Sequence, residues 1–213
     1  MTTPAQMWRS IVREGKERAK VAVLSLVTPR IPLPPDLARR RVIFIGASVG
    51  HAWRLPLVFP NLETRAVYAF DKTEAVRDAI ASRPDAVILK ECAAYFPNEG
   101  IDFALVEQWV AELRAAGIRP VLATVAPITR ELEAREPGRA AALWAFNDRL
   151  RDYASSERLP LLDLERALRV STTDRYLRPG LDTGDGLHLA RKTYRYYLDH
   201  LIPPLLAATF AEE

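Results

Sequence analysis

The sequence predicts an α/β protein in which a parallel sheet is covered by helices on both faces. Three observations lead there. From Arg41 onward, short apolar runs alternate with longer segments of helical periodicity. The runs are apolar throughout instead of at every second residue, as strands buried on both faces must be. The first run also ends in "GASVG" at 46–50, a glycine-flanked turn of the kind that closes a strand and opens a helix.

In chain order, residues 5–27 read as an amphipathic helix. Trp8, Val12, Gly15, Ala19, Ala22 and Leu26 recur at the spacing that places them on one face, and Arg9, Arg13, Lys16 and Lys20 form the adjacent stripe. Two readings stand for it: a helix packed on the body with its charges solvated, or a surface helix making peripheral contact with an anionic membrane or a partner. "TPRIPLPPDLARR" then serves as a stiff link, dividing the chain into an appendage, 1–40, and a domain, 41–213. The expected strands are "VIFIG" (42–46), "TRAVYAF" (64–70), "DAVILK" (85–90), "RPVLATV" (119–125) and "LPLLDL" (159–164). Helices are expected near 73–82, 101–117, 139–156 and 189–202, the last interrupted by Pro203-Pro204 and resuming toward 211.

Bulk properties narrow the function. At 213 residues and 49% hydrophobic content, the chain can bury one sizeable core. Its longest early apolar run, "VAVLSLV", falls far short of the roughly 20 residues a membrane span needs. The single cysteine, Cys92, excludes an internal disulfide framework and favours the cytoplasm. Residues 1–41 hold nine Lys and Arg against three acids, so a net charge of +3 leaves the remainder at −3. A body of that charge lacks the footprint of a nucleic-acid binder.

In such sheets, ligands bind beyond the carboxyl ends of the strands. Ser48 lies there, two residues past the first strand. A serine hydroxyl needs a neighbouring base to become a nucleophile, and flanking glycines permit a sharp turn that exposes backbone N–H groups. An ordinary strand-to-helix turn, or the nucleophile elbow of α/β-hydrolases, fits Gly-x-Ser-x-Gly equally well. The stretch is too short for a dinucleotide loop and carries no Walker lysine. Of three histidines, His200 falls in the C-terminal helix and His51 on the turn after Ser48. His188 instead ends the glycine-broken "LDTGDGLHLA", with Asp185 three residues before it. That spacing can bring a carboxylate to the imidazole Nδ1. A helix-starting Asp beside an incidental histidine would look the same, and Asp182 with Asp185 supplies too few oxygens for a calcium loop.

Taken together, Ser48, Asp185 and His188 resemble the SGNH (GDSL-type) hydrolase family over about residues 41–206. "VLATVAPITR" is similar to its fourth strand and following loop, "LWAFNDRLRDYA" with "LPLLDL" to its next helix and strand, and "DGLHLARKTYRYYLDHLIPPL" to its ending. The resemblance implies a flavodoxin-like three-layer α/β/α fold on a five-stranded parallel sheet. It further implies ester hydrolysis through an acyl-enzyme, with no metal or cofactor. Ser48 would attack, His188 would carry the proton, and Asp185 would orient His188.

The accessory positions depart from the family pattern. Ala47 stands where an Asp is usual. "YAFDKT" lacks the glycine after the second strand, leaving the N–H of Phe70 or Asp71 as the substitute donor. In "LKECAAYFPNEG", Cys92 falls near the usual asparagine, flanked by Lys90 and Glu91, while Tyr95 and Phe96 further on read as packing residues or pocket wall. A thiol is a weak donor. Lys90 and Glu91 read as an ion pair or rim charges, as a compensating donor, or as contacts to a charged substrate. Cys92 as a nucleophile paired with His188 is a further reading. The expected substrate is a small-molecule acyl ester such as an acetylated sugar or a lipid ester. A non-catalytic binding module and an acyltransferase are the alternatives.

Overall fold

The computed structural model describes residues 30–68, 71–90, 103–195 and 199–211, the side chains at 49–51 and 199 excepted. The expected helix over 5–27, and Phe70, Glu91, Cys92, Tyr95 and Phe96, lie outside the described residues.

Five parallel strands form the sheet: β1 (Val42–Gly46), β2 (Leu62–Ala66), β3 (Ala86–Lys90), β4 (Arg119–Ala123) and β5 (Leu161–Leu162). Their order is β2-β1-β3-β4-β5, the flavodoxin-like arrangement. Val42 pairs with Leu62 on one side and Ala86 on the other, so β1 is central and every one of its residues is buried. Alternate side chains of β1 enter different cores. Ile43 and Ile45 join Val87, Leu89, Trp109 and Leu113 on one face, whereas Val42 and Phe44 join Trp53, Ile202 and Leu206 on the other. This explains the uninterrupted apolar run.

The first face is covered by α4 (Thr73–Ser82), α5 (Ala104–Ala115) and α7 (Arg139–Ser156). The second is covered by α1 (Pro35–Ala38), α2 (Ser48–Trp53), α3 (Leu55–Val58), α8 (Leu164–Leu168) and α10 (Asp199–Phe210). Two short helices, α6 (Arg130–Arg135) and α9 (Arg191–Thr193), flank the long loop after α8. The described part of the proline-rich segment packs on this body. Leu37 is buried, Ile31 N donates to Val58 O at 3.4 Å, and the Asn61 amide donates to the carbonyls of Leu37 and Arg40.

Two elements differ from the sequence reading. The second strand is Leu62–Ala66, not 64–70. It is a half-exposed edge strand whose Glu63 and Arg65 pair with each other at 2.7 Å, so it lacks the apolar run that marks the other strands. Pro203 and Pro204 do not interrupt the last helix but lie inside α10. Two ladder hydrogen bonds are lost there, against burial of Ile202, Leu205, Leu206 and Phe210 on the sheet.

Candidate active site

Ser48 opens α2 immediately beyond the carboxyl end of β1, the end of the sheet at which ligands bind in such folds. Gly46 is required there. A Cβ at Gly46 would stand 2.8 Å from Cε1 of Phe44. Its carbonyl accepts the Val67 N–H at 2.7 Å, which closes the β1–β2 edge under the turn.

His188 comes from the loop between α8 and α9. That loop is tied down along its length by short antiparallel bridges, Arg169 with Leu177 and Asp182 with Leu189. It is also tied to the loop after β4, through Leu177 N to Ile128 O at 2.8 Å and Thr129 N to Gly186 O at 3.0 Å. Asp182 Oδ2 accepts the N–H of Gly184 and of Gly186, both at 2.9 Å, and folds the turn that carries Asp185. Gly186, at φ +84°, is pressed against α6, and a Cβ there would meet Thr129 Oγ1 at 2.6 Å and Leu132 Cβ at 2.7 Å.

This scaffold brings together three side chains from distant parts of the chain. Ser48 Oγ lies 3.0 Å from His188 Nε2, and His188 Nδ1 lies 2.6 Å from Asp185 Oδ2. The second oxygen, Asp185 Oδ1, accepts the backbone N–H of Leu187 at 2.9 Å and of His188 at 2.8 Å. Partial burial pushes the Asp185 carboxyl up, but these two N–H groups and the imidazole outweigh it and hold it down at about 2. It is therefore an anion at neutral pH, able only to accept. Nδ1 must carry the proton, which leaves the Nε2 lone pair for the serine hydroxyl. The site is open to water, with the His188 side chain 38% exposed.

The accessory residues are placed differently from one another. Asp71 is exposed, and its carboxylate accepts the Thr73 N–H at 2.8 Å, starting α4. That bond to Thr73 lowers its pKa. Lys90 is fully buried, with its Cβ 3.7 Å from where a Cβ on Gly46 would stand; this corrects its reading as a rim charge. His200 lies exposed on α10. Among the described residues, no group of three or more His, Cys, Asp or Glu could hold a metal ion. No described helix is long and apolar enough to cross a membrane.

Sequence reasoning missed the supports of this site. Lys72 is buried, and its Nζ donates to Val67 O at 3.0 Å, filling the edge beside Gly46. Asn147 pins the start of the loop after β4, with Oδ1 accepting from Val125 N and Nδ2 donating to Val125 O, both at 2.9 Å. The one available signal was an asparagine on the apolar side of α7, in "LWAFN". A buried amide of that kind must find partners.

No protein-family model matches this sequence, and no curated protein matches it. Solved structures do match. A GDSL-like lipase from Bacteroides thetaiotaomicron VPI-5482 superposes with a TM-score of 0.63 at 17% identity, over 88% of this chain and 96% of that one. The chain has the SGNH/GDSL hydrolase-type fold. The acetyl xylan esterase AlAXEase matches at a TM-score of 0.53 and 17% identity, over 76% of this chain and 97% of that one. A catalytic serine-to-alanine mutant of an acetylxylan esterase from Geobacillus stearothermophilus matches at 0.55 and 14% identity, over 79% and 94%. On this GDSL-type frame, Ser48 follows the first strand of the sheet and His188 precedes the last helices.

Proposed function

We propose that the protein is a serine ester hydrolase that works through an acyl-enzyme on Ser48. The observation that carries this is the continuous chain from Ser48 Oγ through the His188 ring to Asp185, at 3.0 and 2.6 Å. A serine placed for strand-to-helix geometry alone has no need of a histidine whose far nitrogen is held by a carboxylate.

The steps follow from that geometry. Oγ attacks the carbonyl carbon of the ester while Nε2 of His188 takes the Oγ proton. The new imidazolium is stabilised by Asp185, whose Oδ2 keeps the ring in one tautomer and orientation. His188 then passes the proton to the departing alkoxide oxygen, and the acyl group stays on Ser48. Water repeats the sequence, with Nε2 as base, releasing the carboxylic acid and restoring the hydroxyl. The tetrahedral oxyanion requires donors, and the Ser48 N–H is supported as one because first-turn N–H groups of a helix have no intrahelical acceptor.

The acyl group is small, such as an acetyl on a sugar or the acyl of a lipid ester. The acetyl xylan esterases and the GDSL-like lipase that share the fold support that range. The test is hydrolysis of p-nitrophenyl acetate by the wild type and Ser48→Ala. Removing the nucleophile lowers kcat by at least about a thousandfold. An unchanged rate in Ser48→Ala would overturn the reading.

A further inference from the structure

A pocket lies beside the site, between α2 and the helix that follows His188. Its walls include Trp53, Arg54 and Leu57 on one side and Arg191, Tyr194 and Arg195 on the other. Ala52, in the same wall, stands four residues after Ser48, about 6 Å along the helix axis. The cavity volume is about 60 Å³. That space admits one phosphate, sulfate or carboxylate group.

The charge of the pocket is one-sided. Three guanidinium groups line it, and no carboxylate does among the described lining residues. Elsewhere the protein sets its arginines on acids: Arg151 and Arg175 on Glu165, Arg65 on Glu63, Arg130 on Asp174 and Arg114 on Glu157. Arg191 and Arg195, both exposed, make no ion pair with the described residues. Arg54 is held at φ 49°, a left-handed backbone that disfavours any residue with a Cβ.

The wall also contains a rigid aromatic ring. Trp53 is 5% exposed, and its Nε1 is buried without a hydrogen-bond partner among the described residues. The ring itself is fixed, packed edge-on against Phe44 with centroids 5.3 Å apart and lying 6.4 Å from Tyr194.

We propose that this pocket binds a small oxyanion of the phosphate class. Its oxygens are taken by the guanidinium forks of Arg191 and Arg195, with Arg54 in the facing wall adding positive charge. Planar guanidinium groups suit that geometry in a way an ammonium does not. The oxyanion is either carried by an ester whose acyl end reaches Ser48, or free phosphate. Binding itself does not depend on Ser48 being a nucleophile.

The test has two arms. In the first, inorganic phosphate is titrated at low salt and followed by ³¹P NMR. The samples are the wild type, Ser48→Ala, Arg191→Gln with Arg195→Gln, and a charge-matched control, Arg77→Gln with Arg166→Gln. Saturable binding is expected in all but the pocket variant, where it weakens at least about tenfold, and added salt weakens it throughout. No saturable binding in the wild type, or equal affinity in the pocket variant, would overturn the proposal. In the second arm, kcat/KM is compared for 1-acetylglycerol 3-phosphate and 1-acetylglycerol. A preference for the phosphorylated ester that shrinks in the pocket variant assigns the site to a substrate group. Arginine-dependent phosphate binding without that preference assigns it to the free ion. Failure to cleave either ester or p-nitrophenyl acetate beside intact phosphate binding would sink the esterase reading and leave the anion site standing.

Discussion

The guanidinium of Arg135 donates to the carbonyl oxygen of Asp185 at 2.7 Å, tying the end of α6 to the turn that presents the Asp185 carboxylate to His188. The bond is exposed, so its loss leaves no buried group unsatisfied. Arg135→Ala is expected to lower kcat/KM on a simple ester by about fivefold, with little change in thermal midpoint, because misorientation of Asp185 acts on the rate and not on the core. Steady-state kinetics beside a melting curve separates the two effects.

Asp185→Asn tests the tautomer argument. An asparagine can keep its oxygen on the N–H groups of Leu187 and His188 and present its amide to Nδ1. The imidazole proton then moves to Nε2 and faces Ser48 as a donor, so the base is lost. The expected fall in kcat is on the order of a thousandfold to ten-thousandfold with the fold intact, as seen where a triad carboxylate is replaced by an amide. A loss of less than about tenfold would show that Asp185 does not set the ring.

Two glycines of the same loop should respond differently to alanine. Gly186→Ala combines a φ of +84° with a Cβ forced to within 2.7 Å of α6, whereas Gly184→Ala, at φ +98°, meets nothing within 4 Å. The first is expected to destabilise the protein by about 3 kcal/mol or to displace the His188 loop, and the second by about 1 kcal/mol. Urea denaturation of both variants measures the difference.

Acid should weaken the fold through Glu165, which is fully buried between the Arg151 and Arg175 side chains and the Asn147 amide. Burial pushes its carboxyl up, but hydrogen bonds from Arg175 and Asn147 and the charge of Arg151 hold it below the ordinary 4.5. The unfolded chain therefore binds this proton more readily than the native one. The contribution is complete above about pH 4.5 and is lost as pH falls through the lowered native value. Urea midpoints at pH 7, 5 and 3.5 are expected to hold between the first two and drop at the third. Glu165→Ala, which strips two largely buried arginines of a shared partner, is expected to cost about 3 kcal/mol at pH 7.

How much of this was legible in the sequence varies with the kind of force involved. "VIFIG" and the helices at 73–82 and 139–156 were readable because burial on a sheet face or helix stripe imposes a periodic pattern. Asp185 and His188 were readable because they are close in sequence and their bond is local. Ser48 was readable only through its position after the first strand. The edge strand was misplaced because its charges pair with neighbours instead of being excluded from it. Pro203-Pro204 misled because local propensity yields to burial of the residues around it. The Gly186 contact with Thr129, the approach of buried Lys90 to Gly46 and the three-arginine pocket join segments far apart in the chain, and no spacing rule reaches across that distance.

The most direct test of the central claim is covalent labelling by a fluorophosphonate probe, which reports an activated serine without requiring the true substrate. Wild-type protein is expected to label on Ser48, with labelling abolished in Ser48→Ala and strongly reduced in His188→Ala. A folded wild type that does not label, or labelling that persists in Ser48→Ala, would contradict the account.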